Sequence, residues 1–171
     1  MSIQSKYNYT AKRDDYLTPS VIYERVLEEN NLQTFDCDVC SSFPNIPAKM
    51  HYRKDGLYSI SGRKLTDNNG LTGTWFKFNW CNPPFNICNK FVKKATEEQK
   101  KGKTTFMLIP VRTERKFWHQ YILFNGRFPK PYVNIEFLPS GTRFIHPETG
   151  EEMGLHKGAL ALITFRGYTD E

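Results

Sequence analysis

Residues 75–110 constrain the fold more than any other stretch of the chain. Trp75-Phe-Lys-Phe-Asn-Trp-Cys81 reads as a strand, and Ile87 to Lys101 as a basic amphipathic helix with Cys88, Phe91, Val92 and Ala95 at helical spacing, stopping at Gly102. Thr104-Thr-Phe-Met-Leu-Ile-Pro110 follows as a continuous apolar run. A strand, a helix and an apolar strand in that order form a βαβ unit, whose parallel sheet is stable only when helices cover it. The turn between the first strand and the helix is Asn82-Pro83-Pro84-Phe85, stiffened by two prolines.

The rest of the chain fits an α/β architecture. Its 171 residues suit one domain over 15–171, preceded by a polar arm at 1–14. Thr18-Pro19 reads as a helix start, with threonine at the N-cap and proline at the first helical position. Val21, Ile22, Val26 and Leu27 then make one apolar stripe that stops at Asn30-Asn31. Thr34 to Cys40 predicts a short strand ending at Asp38, and strand ends of open α/β sheets are where ligands gather. Residues 41–74 are irregular, with a turn at Asp67-Asn-Asn-Gly70 and a short strand near Leu57 to Ile60. Thr113 caps a further helix carrying Phe117, Trp118, Tyr121 and Ile122 on one side. Strands at Tyr132–Leu138, Thr142–Ile145 and Ala159–Phe165 form a closing hairpin region.

Charge is unevenly placed. The net charge is +6, yet residues 86–130 hold eleven Lys/Arg against three Glu, so the positive field follows Asn82–Phe85. That position suits a polyphosphate partner. No apolar run approaches the ~20 residues of a membrane span, and the N-terminus shows no secretory segment, which points to the cytosol. The four cysteines (37, 40, 81 and 88) are too few and too clustered for a disulfide scaffold and read as reduced thiols. Cys37-x-x-Cys40 invites a zinc reading, but Cys81 and Cys88 are spaced too widely to complete it, so no metal is expected.

Several segments together carry a resemblance. Asp15-Tyr-Leu-Thr-Pro19, Phe35-Asp-Cys-Asp-Val-Cys-Ser41, Gly70-Leu-Thr-Gly-Thr-Trp75, Trp80-Cys-Asn-Pro-Pro-Phe85 and Leu108-Ile-Pro-Val-Arg-Thr113 with Phe117-Trp118 occur in this order over nearly the whole chain. The chain thereby resembles the phage-type DNA N6-adenine methyltransferases, small Dam-like enzymes of phages and prophages acting in the bacterial host cytoplasm, with restriction evasion as one role. The resemblance implies a compact class I, Rossmann-like sheet with flanking helices and a C-terminal β-hairpin region. It also implies S-adenosylmethionine as cofactor and DNA as partner, double-stranded favoured and single-stranded open, in a monomer or weak dimer without a membrane.

Residue roles follow from the resemblance. Asn82 and Pro83 supply a side-chain and a backbone carbonyl to the two N–H groups of an exocyclic amine, Pro84 turns the chain, and Phe85 stacks on a flipped base. The cofactor set is Thr18, Pro19, Asp36, Asp38 and Ser41, with the acids taking ribose hydroxyls or an ammonium group, or capping a neighbouring turn. Asp38-Val-Cys-Ser-Ser42 stands where larger amino-methyltransferases have a glycine-rich loop. Lys90, Lys93, Lys94, Arg112, Arg115, Lys116, Arg127 and Arg143 are candidates for DNA contact. The chain has no long recognition insertion, so short or relaxed specificity is expected from the 45–69 loop or the C-terminal strands. The motif also fits methylation of RNA or of a protein glutamine, and the missing glycines fit a non-catalytic nucleic-acid-binding relative.

Overall fold

The strand–helix–strand unit forms and lies at the centre of an eight-stranded sheet. The structure is a computed structural model that describes residues 16–41 and 44–169, and the polar arm expected at 1–14 lies outside them. In chain order the elements are α1 (Ser20–Glu29), β1 (Phe35–Asp38), β2 (Ala48–Arg53), β3 (Gly56–Ser59), β4 (Lys64–Thr66), β5 (Phe78–Cys81), a 3-10 turn (Phe85–Ile87) and α2 (Cys88–Gln99). They continue with β6 (Thr104–Pro110), a π-helical turn (Trp118–Ile122), β7 (Leu123–Phe124), β8 (Phe128–Pro129), β9 (Val133–Phe137), β10 (Arg143–Ile145), β11 (Glu152–Leu155) and β12 (Leu160–Phe165).

The sheet order is β4-β3-β2-β1-β5-β6-β12-β9. β2, β1, β5 and β6 run parallel, while β12 is antiparallel to both β6 and β9. From β1 the chain steps first to β2 on one side and later to β5 on the other. The carboxyl ends of β1 and β5 therefore flank the point where the winding direction reverses, which is the ligand crevice of an open α/β sheet.

Helices cover both faces, as buried parallel strands require. On one face Phe91, Val92 and Ala95 of α2 pack with Cys37, Cys81, Met107, Ile109, Trp118 and Ile122. On the other, Ile22, Val26 and Leu27 of α1 pack with Trp80, Phe106, Leu108 and Leu162. The apolar stripe expected for α1 is the buried one, except that Val21 faces solvent.

Several expectations needed correction. Thr18 does not cap α1, because Pro19 occupies the N-cap position and no side chain caps it. β5 begins at Phe78 rather than Trp75: the Trp75 indole turns inward and donates to the Gly70 carbonyl at 2.7 Å. Asn79, fully buried, holds the preceding bend by bonding Phe76 N–H, Phe76 O and Thr104 O. Residues 41–74 contain β2, β3 and β4, of which only the segment near β3 was expected. β6 is parallel to β5 alone, because β12 inserts between β6 and β9. The helix expected after Thr113 is short, covering residues 116–122, and Phe117, Trp118, Tyr121 and Ile122 all pack into one core cluster, but no side chain caps it and the Thr113 carbonyl pairs with the His119 ring at 2.7 Å.

Glu98 on α2 is buried, and its Oε1 pairs with Lys94 at 2.9 Å and Lys101 at 3.1 Å. Burial pushes this carboxyl up, but the two ammonium groups pull harder and leave it below the ordinary value. Its stabilising contribution is therefore complete above the ordinary carboxylate range and is lost as pH falls through the lowered pKa. Glu98→Gln removes the charge at constant shape. We expect urea denaturation at pH 7 to show a loss of about 2–3 kcal/mol, below the largest buried-pair penalties because Lys101 stays in solvent. The difference from wild type should shrink in acid.

Candidate active site

Asn82 leaves the end of β5 at the crevice, and two partners from the segment before α1 fix its side chain. Asn82 Nδ2 donates to Thr18 Oγ1 at 3.1 Å and to the Tyr16 carbonyl at 3.4 Å. A backbone carbonyl can only accept, so the amide nitrogen must face Tyr16 and Oδ1 must point away. Oδ1 has no protein partner among the described residues, and Asn82 lines a cavity of about 1230 Å³. Pro83 is buried, and the Pro84 carbonyl accepts from Ile87 N–H at 3.1 Å, which starts the 3-10 turn and sets Phe85 on the cavity wall.

Three other segments complete the cavity: Lys90 and Lys93 of α2, the loop after β6 from Arg112 to Phe117, and residues Met153 to Ala159 around β11. His156 sets its ring edge-on against Phe85 at 5.8 Å and against Phe144 at 5.6 Å. An isolated Leu17–Ile145 bridge joins the β10–β11 hairpin to the segment that holds Asn82. Tyr16, Phe144 and His156 were missed in the sequence. Nothing in a lone histidine beyond a Gly/Pro-punctuated tail signals that it returns to Phe85.

On the other side of the crevice, Asp38 ends β1 and is 3% exposed. Its Oδ1 accepts from Cys40 N–H at 3.2 Å, and the Ser41 side chain also bonds it. Burial pushes its carboxyl up to about 7 despite those hydrogen bonds. Among the described residues no cation pairs with it. The carboxylate thus stands at the switch point without a counter-ion, an arrangement that is costly unless a positive group arrives. Gly70 lies over this strand end so closely that a Cβ there would meet the Val39 carbonyl at 1.8 Å. A glycine therefore does serve the β1 edge, supplied by a loop some thirty residues later.

A family model described as DNA N-6-adenine-methyltransferase (Dam) matches residues 4–170. The chain belongs to the Dam family. A search of curated proteins found no match. The sheet described above is accordingly a Rossmann-like methyltransferase sheet with flanking helices.

In this Dam-family chain the expected site residues divide. Asn82, followed by Pro83, Pro84 and Phe85, bonds Thr18 at the crevice, Pro19 follows as the N-cap of α1, and Asp38 ends the neighbouring strand three residues before Ser41. Asp36 does not join them. It lies two residues back along β1, with Oδ1 paired to Lys49 at 2.9 Å and Oδ2 accepting Phe78 N–H at 3.0 Å.

The cations divide as well. Lys90, Lys93, Arg112, Arg115 and Lys116 line the cavity, joined by Lys157, against the single carboxylate of Glu114. Glu114 pairs with Arg112 at 2.6 Å and with Arg115 at 3.7 Å. Lys94 is turned to Glu98 and does not reach the cavity. Arg143 bonds the Met153 carbonyl across its hairpin at 3.4 Å, and Arg127 lies outside the cavity on the β7–β8 turn. No helix among the described residues is long and apolar enough to cross a membrane.

The cysteines belong to the packing. Cys37, Cys81 and Cys88 are buried free thiols that burial pushes well up, Cys88 to about 12. Among the described residues no His/Cys/Asp/Glu group has the makings of a metal site. A thiol reagent attacks the thiolate, so native protein should yield about one reactive equivalent, at the half-buried Cys40. Titration with Ellman's reagent before and after unfolding checks this, and a second fast equivalent would contradict the packing.

Proposed function

We propose that the protein transfers the methyl group of S-adenosylmethionine to the N6 amino group of adenine in DNA. The orientation of Asn82 carries this reading. Its nitrogen is anchored to Thr18 and Tyr16, so its carbonyl oxygen is directed away from both at the mouth of a cation-lined cavity.

An adenine amino group is a weak nucleophile because its lone pair is delocalised into the ring. It presents two N–H donors, and Asn82 Oδ1 and the Pro83 carbonyl are two acceptors on one stiff segment. Hydrogen bonds to both protons favour the tetrahedral nitrogen that forms as the methyl carbon bonds to it and the carbon–sulfur bond breaks. These dipoles are positioned before the reaction, so little reorganisation remains. Phe85, braced by the His156 edge, offers a face for the base. An adenine paired in a duplex must be flipped to reach it.

S-adenosylmethionine supplies an electrophilic methyl group on a sulfonium and also carries an ammonium. The residues of the crevice fit such a cation. Asp38 is a buried carboxylate lacking a counter-ion among the described residues, Ser41 braces it, and Thr18 holds Asn82. The cations around the cavity would contact DNA phosphates, with Lys90, Lys93, Arg112, Arg115, Lys116 and Lys157 as the set. The β10–β11 hairpin beside the cavity would contribute to reading sequence, which fits short or relaxed specificity.

Mass analysis of nucleosides from DNA incubated with protein and S-adenosylmethionine should reveal N6-methyladenine. Asn82→Ala should abolish it, and Thr18→Val should lower turnover by about tenfold or more by freeing the carboxamide to rotate. DNA binding without any methylated base would overturn the catalytic reading in favour of a non-catalytic relative.

Asp38 gives a second test with a defined sign. Below pH about 7 its carboxyl is protonated in the free protein. Binding of a cation favours the ionised form, so it should expel a proton there, and affinity should rise with pH and level off above neutrality. Titration calorimetry near pH 6 in buffers of different ionisation enthalpy should show about one proton released. Asp38→Asn should remove the buffer dependence. The same shift makes the unliganded fold less stable as pH climbs from the ordinary carboxylate range towards 7.

A further inference from the structure

The β7–β8 hairpin plays no part in the site described so far, yet it displays an unusual surface. Phe124 and Phe128 are directly paired across its two strands and are 55% and 64% exposed. Cross-strand partners point to the same side of a ribbon, so the two rings form one apolar face. Arg127 precedes Phe128 in the turn. Large aromatic side chains left in solvent as a pair need a partner to explain them.

The hairpin is built to be rigid. Asn125 and Gly126 have φ of 51° and 65°, and Arg127 N–H donates to the Phe124 carbonyl at 3.1 Å, so a hydrogen-bonded turn with two left-handed residues lies within the three-residue loop between the paired Phe124 and Phe128. Gly126 lies against the His119 ring, where an added Cβ would be 3.5 Å away, and that ring is held on the Thr113 carbonyl. At the base of the hairpin, Lys130 Nζ donates to the carbonyl of Gln120, a residue of the cavity wall. The chain of contacts from Thr113 through His119 to Gly126 makes the hairpin an extension of the Arg112–Lys116 loop. The aromatic pair is thus joined to the cationic rim of the cavity.

We infer that this hairpin is a duplex-opening wedge, with Phe124 and Phe128 stacking on bases beside the target adenine and Arg127 holding a flanking phosphate. The inference rests on the DNA reading above. Two exposed aromatic side chains on one side of a ribbon, with an arginine in the adjoining turn, suit a stacked nucleic acid surface. Their rigid setting keeps the ordering cost of that contact low. A second copy of this chain would find the same two rings, but the neighbouring arginine and basic rim would repel it.

The test compares methyl transfer to a mixed-sequence duplex and to its separated strands, for wild type and for the Phe124→Ala/Phe128→Ala double variant. Single strands need no opening, so the variant should keep wild-type kcat/KM on them within about twofold and lose about tenfold or more on duplex. Arg127→Ala should flatten the salt dependence of duplex binding. Thermal unfolding should match wild type, because the rings are exposed. Equal activity of variant and wild type on duplex, or equal losses on both substrates, would overturn the wedge. So would wild-type dimers in sedimentation that become monomers in the variant with duplex activity unchanged, since the rings would then join two copies. Wild type that neither binds nor methylates DNA would instead remove the underlying function.

Discussion

The structure depends on the parallel pairing of β1 with both β2 and β5. Asp38 is in register with His51 on one side and Trp80 on the other, so the end of β1 is flanked by both neighbouring strands. A one-residue slip would turn every side chain of β1 to the opposite face. It would bury Asp38 elsewhere and break the alignment of the two strand ends that form the crevice. The helices on both faces hold this register, because each core layer draws residues from β5 and β6 as well as from a helix.

Much of this was legible in the sequence where the signal is local. The spacing of Phe91, Val92 and Ala95 and the unbroken run of β6 specify elements by periodicity alone. Asn82–Phe85 marked the candidate site because its motif resembles that of amino-methyltransferases and lies between a legible strand and a legible helix. What joins the site together is non-local. The hydrogen bond from Asn82 to Thr18 spans 64 residues, and His156 reaches Phe85 through a hairpin whose turns show only Gly and Pro. No window of sequence contains either pair.

Other features were present in the sequence and went unread. Ala48-Lys-Met-His-Tyr-Arg53 alternates apolar and polar side chains as a strand should, but Pro44 and Pro47 beside it pointed to a loop. Asp36 and Asp38 project to the same side of β1, and only the pairing of the strand decides which of them stands at the open end. Gly70 presented itself as a turn residue, yet its placement against Val39 is a matter of tertiary crowding that local conformation does not record.

The ion pairs of α2 change what the lysine count means. Lys94 and Lys101 share the Glu98 carboxylate, and Lys93 lies 3.8 Å from Glu97. A polyanion approaching the helix displaces fewer counterions than the run of lysines suggests, because two of those charges already have a fixed counter-charge inside the protein. Of the lysines on the first turns of the helix, Lys90 adjoins the cavity with no carboxylate partner among the described residues, and Lys93 adjoins it while lying near Glu97. Lys100 and Lys103 keep the far end positive as well, so what sets the end beside Asn82 apart is that its lysines face the cavity.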